Sequence, residues 1–128
     1  MTGTYFINID LDIGWDGDFS AIAPLLLELE PFAYVLNPGP QPFATLELND
    51  QPKTPEEAIL AYHHAITALS PQARGVWNAL SKRSLNIGIQ AGERPHSAEF
   101  TLSQSAVAYA AAIGAQWIIT VYGSNRSG

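Results

Sequence analysis

"YFINIDLDIGWDGDF", residues 5–19, decides how the rest of the chain is read. From Tyr5 to Ile13 the side chains alternate. Tyr5, Ile7, Ile9, Leu11 and Ile13 fall on one side, and Phe6, Asn8, Asp10 and Asp12 on the other. Period two predicts a strand with one buried and one open face. Gly14 ends it, Asp16-Gly17 supplies a turn, and Asp18 is placed to cap a helix starting at Phe19. In that helix, residues 19–30, Ile22, Leu25, Leu26 and Leu29 share a stripe. Pro24 either kinks its start or moves the regular helix to near Ala23.

Working outward, NPGPQP (37–42) is a proline-rich loop, and FATLELN (43–49) resumes the strand alternation. Here Ala44, Leu46 and Leu48 point inward, and Thr45, Glu47 and Asn49 outward. Thr54, Pro55 and Glu57 then form a capping box for a helix whose stripe is Ile59, Tyr62, Ile66 and Leu69. Ser70-Pro71 starts another, PQARGVWNALSKR, with Ala73, Val76, Trp77 and Leu80 inward. A third strand, SLNIGIQA (84–91), buries Leu85, Ile87 and Ile89 and turns Asn86, Gly88 and Gln90 outward. GERPHS (92–97) is a loop, Ser103 caps an alanine-rich helix stopped by Gly114, and QWIITVY (116–122) is the last strand before a polar GSNRSG tail. No internal repeat is present.

The expected fold is therefore α+β in one domain, residues 1–128. It is a ferredoxin-like split βαβ arrangement with a four-stranded, mainly antiparallel sheet and helices on one face. A two-helix insertion, residues 54–83, lies between the halves, and the sequence leaves open whether it covers an edge or part of the other face.

Composition narrows the function. Charged residues are only 14% against 47% hydrophobic, which suits a globular core. Six basic against twelve acidic residues give a net charge of −6. That balance disfavours nucleic acid and anionic membranes and favours a basic protein partner. With no cysteine, disulfides, thiolate zinc sites and cysteine nucleophiles are excluded. MTGTYFINIDLDI lacks the basic start and apolar block of a signal peptide, and no apolar run is long enough to span a membrane, so a cytoplasmic location is expected.

No motif fixes a reaction. An EF-hand reading from Asp12 puts Gly14 at its third position and Ala23 at its twelfth, and fails. Asp10 and Asp12 lie roughly 7 Å apart on one strand face, a spacing open to an inverting hydrolase or a cation. Asp16 and Asp18 are turn and cap. His63 and His64 diverge by about 100° on a helix, a poor metal pair, and are read as one half-buried and one surface histidine. Glu93, Arg94, His96 and Ser97 share one loop without triad geometry, and Gly14-x-x-Gly17 lacks the glycine and lysine of a phosphate loop. No catalytic residue, metal or cofactor is assigned. What remains is the outward sheet face: Phe6, Asn8, Asp10, Asp12, Glu47, Asn86, Gln90 and Tyr122, with Thr45, Asn49, Gln116, Ile118 and Thr120. It is acidic, rich in amides and aromatics, free of basic residues, and suited to binding a protein.

The C-terminal stretch "SLNIGIQAGERPHSAEFTLSQSAVAYAAAIGAQWIITVYG", residues 84–123, resembles the end of a family of uncharacterised small bacterial α+β domains. Shared positions are the F-x-L-S before the helix, the G-A after it, and the closing V-Y. Such domains are similar in size and acidity to immunity proteins encoded beside bacterial polymorphic toxins. The resemblance implies an immunity protein that blocks a toxin's active site, and it carries over no catalytic residue. The alternatives are a small-molecule-binding or regulatory domain acting as a homodimer, and a hydrolase built on Asp10 and Asp12.

Overall fold

A computed structural model describes residues 3–36, 42–93 and 97–123. Along them run β1 (Tyr5–Gly14), α1 (Ala23–Leu29), β2 (Ala33–Val35), β3 (Phe43–Leu48), α2 (Pro55–Thr67), α3 (Pro71–Asn78), β4 (Lys82–Gln90), α4 (Gln104–Ala112) and β5 (Gln116–Tyr122). Most of the loop expected at 37–42, Arg94 and His96 of the loop at 92–97, and all but Gly123 of the polar tail lie outside the described residues. No helix among the described residues is long and apolar enough to cross a membrane.

Local chemistry sets the helix starts. Asp18 caps a short 3-10 turn, Phe19–Ala21, by accepting from the Ser20 N–H at 3.0 Å, and the regular helix begins at Ala23. Thr54 Oγ1 accepts from the Glu57 N–H at 3.2 Å, as a capping residue should. The reciprocal bond runs one residue earlier than in a capping box, from the Lys53 N–H to the Glu57 carboxylate at 3.0 Å. Ser70 and Ser103 cap α3 and α4 in the same way. Glu28 of α1 ties α3 in place, accepting from Ser70 Oγ at 2.6 Å and from its N–H at 2.8 Å. After α4, Gly114 takes φ +72°, the left-handed turn a helix C′ residue needs.

The sheet order is β2-β3-β1-β4-β5. α1 carries the chain from β1 to β2, and β3 returns into the gap between them, antiparallel to both. α2 and α3 lead to β4, antiparallel to β1, and α4 then adds β5 parallel to β4. Buried residues of all four helices join Ile9, Leu11, Ile13, Leu46 and Leu85 in one core, so every helix lies on the same sheet face. Tyr62 of α2 reaches into it and donates its hydroxyl to the Ile9 carbonyl at 2.8 Å; burial pushes its phenol pKa up, keeping the proton. Trp77 Nε1 donates to the Ile113 carbonyl at 2.7 Å, fixing α3 to the end of α4.

Two expectations are corrected. The α+β class and the one-sided helices are present, but the sheet has five strands, not four. The additional strand, β2, spans only Ala33–Val35, too short to show periodicity. The inserted helices end sooner than residue 83: α3 stops at Asn78, and Lys82 and Arg83 belong to β4. Arg83 explains the stop, because its guanidinium donates to the Trp77, Asn78 and Gly114 carbonyls at 3.1, 2.9 and 3.0 Å, satisfying acceptors at two helix ends. The question the sequence leaves open is answered as well: α2 and α3 pack on the core side of the sheet and not on its outward face. α2 packs on β1 from the core side, with Ile59, Tyr62 and Ile66 buried there.

Candidate functional site

The uncovered face is built strand by strand from alternate residues. Cross-strand pairing sets Asp12 beside Thr45 on one side and Ser84 on the other, Asp10 beside Asn86, and Tyr34 beside Glu47. In parallel register, Asn86 faces Ile118, Gly88 faces Thr120, and Gln90 faces Tyr122. Asn8, Asp10, Asp12, Glu47, Asn86, Gln90 and Tyr122 therefore share this face, as alternation implies.

Phe6 does not. β1 pairs Tyr5 with Gln90 and Phe6 with Ile89, then shifts register so that Asn8 meets Gly88. Ile7 is the extra residue of a β-bulge, and one extra residue reverses the facing of everything before it. Phe6 packs against the core, while Tyr5, expected inward, moves to the open face. Ile7, also expected inward, is exposed.

A chain of hydrogen bonds crosses the face. Thr120 Oγ1 donates to Asn86 Oδ1 at 2.8 Å, and Asn86 Nδ2 donates to Asp12 Oδ2 at 3.3 Å. The other Asp12 oxygen accepts from Thr45 Oγ1 at 2.9 Å. Asp12 is only 7% exposed, so it organises neighbouring strands rather than meeting solvent as the alternation implied. Ser84, fully buried beside it, accepts from Gln116 Nε2 at 2.9 Å.

Asp10 is differently placed. Among the described residues, its side chain accepts one bond, from Asn8 Nδ2 at 3.2 Å. Partial burial, with the Glu47 and Asp12 carboxylates nearby, pushes its pKa from an ordinary 3.8 to about 6. Glu47 accepts from Gln51 Nε2 at 3.2 Å, and its carboxylate raises the pKa of the neighbouring Tyr34 phenol. Gly88 keeps the centre of the face shallow: a Cβ there would meet Asn8 Oδ1 at 3.0 Å and the Tyr122 ring at 3.7 Å. Gln90 is committed to the end of the sheet, its amide donating to the Ala91 and Gly123 carbonyls at 3.1 and 2.9 Å.

The face is not free of basic residues. Lys82, in phase with Ser84 and Asn86, reaches across Gly14 and sets its ammonium 5.3 Å from the centre of the Phe43 ring. It sits at the opposite end from Asn8 and Glu47, leaving a dipolar face with a carboxylate-rich middle. Lys82 and Phe43 could have been recognised by extending the alternation of their strands backwards. Tyr34 could not, because its strand is too short, and nothing in the composition of β1 signals the bulge that exposes Tyr5.

Chemistry elsewhere is sparse. His63 is partly buried, its Nδ1 3.2 Å from the Tyr109 carbonyl and its ring 4.7 Å from that of Tyr109, and His64 is exposed. Among the described residues, no three His, Asp or Glu side chains are grouped to hold a metal ion. A groove of about 540 Å³ between α1 and β2, lined by Phe19, Leu26, Leu27 and Tyr34 with Glu30 and Asn49, is mostly apolar. Another, about 520 Å³, separates Trp15 from α3. The cavity bordering Asn8 and Glu47 is about 10 Å³, room for a water and not a metabolite. The cavity beside these carboxylates is thus too small for a metabolite, which suits this part of the face to a macromolecule. Comparison with protein-family models, curated proteins and solved structures finds no match to this chain, so its function is read from its own residues.

Proposed function

We propose that the protein is a non-catalytic protein-binding module that presents the uncovered face of its sheet to a basic protein. The observation that carries this reading is the grouping of Asp10, Asp12 and Glu47 on a flat face, with Asp10 held near pKa 6 by desolvation and like charge. Three carboxylates brought together repel one another, and a cation docked among them relieves that repulsion. Binding a lysine or arginine would lower the Asp10 pKa toward its ordinary value, so association strengthens as pH rises through 6.

Most concretely, the role is that of a cytoplasmic immunity protein that covers a bacterial toxin's active site. Toxins that act on nucleic acid or nucleotides need basic clefts, which an acidic face complements. The resemblance at residues 84–123 points the same way. The frame we assign is ferredoxin-like: β2-β3-β1-β4 is the strand order of a split βαβ pair, and α4 with β5 is an appended unit.

Co-expression with the product of the adjacent gene tests the role. Wild type should suppress that protein's toxicity, and the Asp10→Asn, Glu47→Gln double variant should lose most of the protection while remaining folded. Undiminished protection by the variant, or no toxicity to suppress, would overturn it. A hydrolase using Asp10 as acid or base is the second reading, favoured by its pKa of about 6, near the optimum for proton transfer at neutral pH. Loss of a hydrolytic activity in Asp10→Asn, with the fold retained, would select it.

A further inference from the structure

We infer that an apolar surface around the β2 edge of the sheet anchors the binding face, taking apolar side chains of the same basic protein that Asp10 and Glu47 attract. This rests on the reading of the carboxylate face as a docking surface, and it adds the second chemistry that the partner must carry. Backbone bonds extend β2 by one residue at each end. The Leu36 N–H donates to the Thr45 carbonyl and the Asn49 N–H to the Phe32 carbonyl, both at 2.8 Å. Phe32, Tyr34 and Leu36 therefore share the uncovered face by strand alternation, and all three are exposed.

Behind that edge, the groove of about 540 Å³ between α1 and β2 continues the surface. Its floor includes the buried Ala33 and Leu46, while on its walls Leu27 is 71% and Phe19 52% exposed. A single exposed leucine is ordinary, but apolar side chains gathered along one edge mark an interaction site. Tyr34 joins this surface to the carboxylates, because it borders the groove and pairs with Glu47 across the two strands. An apolar centre beside a charged rim is the anatomy of a protein–protein interface.

Charge names the occupant. Residues 1–52, which form β1, α1, β2 and β3, hold eight of the twelve Asp and Glu and none of the six Lys and Arg. Their side-chain charge is −8, whereas residues 53–128, with six bases and four acids, carry +2. The apolar edge thus lies wholly in the acidic half, and the charged residue lining its groove is Glu30. A second copy would set −8 against −8, and nucleic acid or anionic lipid is repelled in the same way. A protein segment with lysine or arginine flanking apolar residues fits both parts. Its bases speed encounter, and its apolar side chains, seated in the groove, slow release.

Binding kinetics with the purified product of the adjacent gene, at low and high salt, test this. The Leu27→Gln, Leu36→Gln double variant removes two exposed apolar side chains without altering charge, and should stay folded by circular dichroism. It should weaken binding about thirtyfold or more, through faster dissociation and equally at both salt levels. The Asp10→Asn, Glu47→Gln variant should instead slow association, chiefly at low salt. Val107→Gln, at an exposed apolar position on α4 outside this surface, should bind as wild type does. Wild-type affinity in the leucine variant, beside weakened binding in the carboxylate variant, would overturn the anchor and keep the carboxylate face. No binding by wild type would overturn both. Self-association of wild type that the leucine variant abolishes would give this surface to a second copy, and so overturn the assignment.

Discussion

The two faces of β1 meet opposite demands within the same residues. Toward the helices, Ile9, Leu11 and Ile13 are at most 2% exposed and held by burial. Toward solvent, Asp10 and Asp12 are adjacent in phase, yet only Asp12 is fully bonded, with Thr45 and Asn86 satisfying its two oxygens. The covered face gains from every atom it hides. The uncovered face contains one carboxylate that builds the sheet and another, Asp10, that among the described residues accepts only from Asn8. That contrast shows where stability stops and binding begins: a group the fold does not satisfy is available to something else.

The covered face should be the most sensitive to truncation. Leu11→Ala, at the centre of the core, should cost about 2–5 kcal/mol, read as a lower denaturation midpoint. A cost below about 1 kcal/mol would place the core elsewhere.

Next in size is Asp12→Ala. Thr45 and Asn86 then lose a shared, mostly buried acceptor, and the loss should be about 1–3 kcal/mol. Asp12→Asn, which keeps one acceptor oxygen, should cost less. Equality with an ordinary surface substitution would make both aspartates the same kind of residue and dissolve the contrast.

Phe6 and Tyr5 test the bulge that assigns each to its face. Phe6→Ala, removing a half-buried ring, should cost about 1–2 kcal/mol, less than a full core truncation. Tyr5→Ala should stay within about 0.5 kcal/mol, as exposed changes usually do. The reverse order would mean that β1 runs without the bulge.

Asp10→Asn should be a modest change, and of opposite sign. Asp10 holds its proton more tightly folded than unfolded, so its charge penalises the folded state, fully above pH 6 and not at all below about 4. Removing the charge should stabilise by about 1 kcal/mol at pH 7, after allowance for solvent screening, and change nothing near pH 3.5. Thermal unfolding of both proteins across pH 3.5–8 measures it. Destabilisation at pH 7 would show that Asp10 is satisfied within the fold.

Much of this was legible in the chain because the period was long enough to see. Asp10 and Asp12 share a face because Ile9, Leu11 and Ile13 occupy the other, and Thr54, Ser70 and Ser103 announce helices through their hydroxyls. The strand joining Tyr34 to the face was hidden because three residues cannot establish alternation. The inward turn of Phe6 was hidden for a different reason. Tyr5 to Ile13 alternates without a break, and the bulge at Ile7 exists only in the pairing with β4. The burial of Asp12 likewise depends on which residues sit beside it across strands, and single-chain periodicity carries no information on register.

Association kinetics with a basic partner captured from the source cell test the binding face most directly. They should be measured at low and high salt for wild type and the Asp10→Asn, Glu47→Gln double variant. If the uncovered face meets the partner, wild type associates fast at low salt and slows steeply as salt rises, while the double variant is slow at both. Identical rates and salt dependence for the two proteins would place the partner elsewhere on the molecule and leave these carboxylates as solvated strand residues.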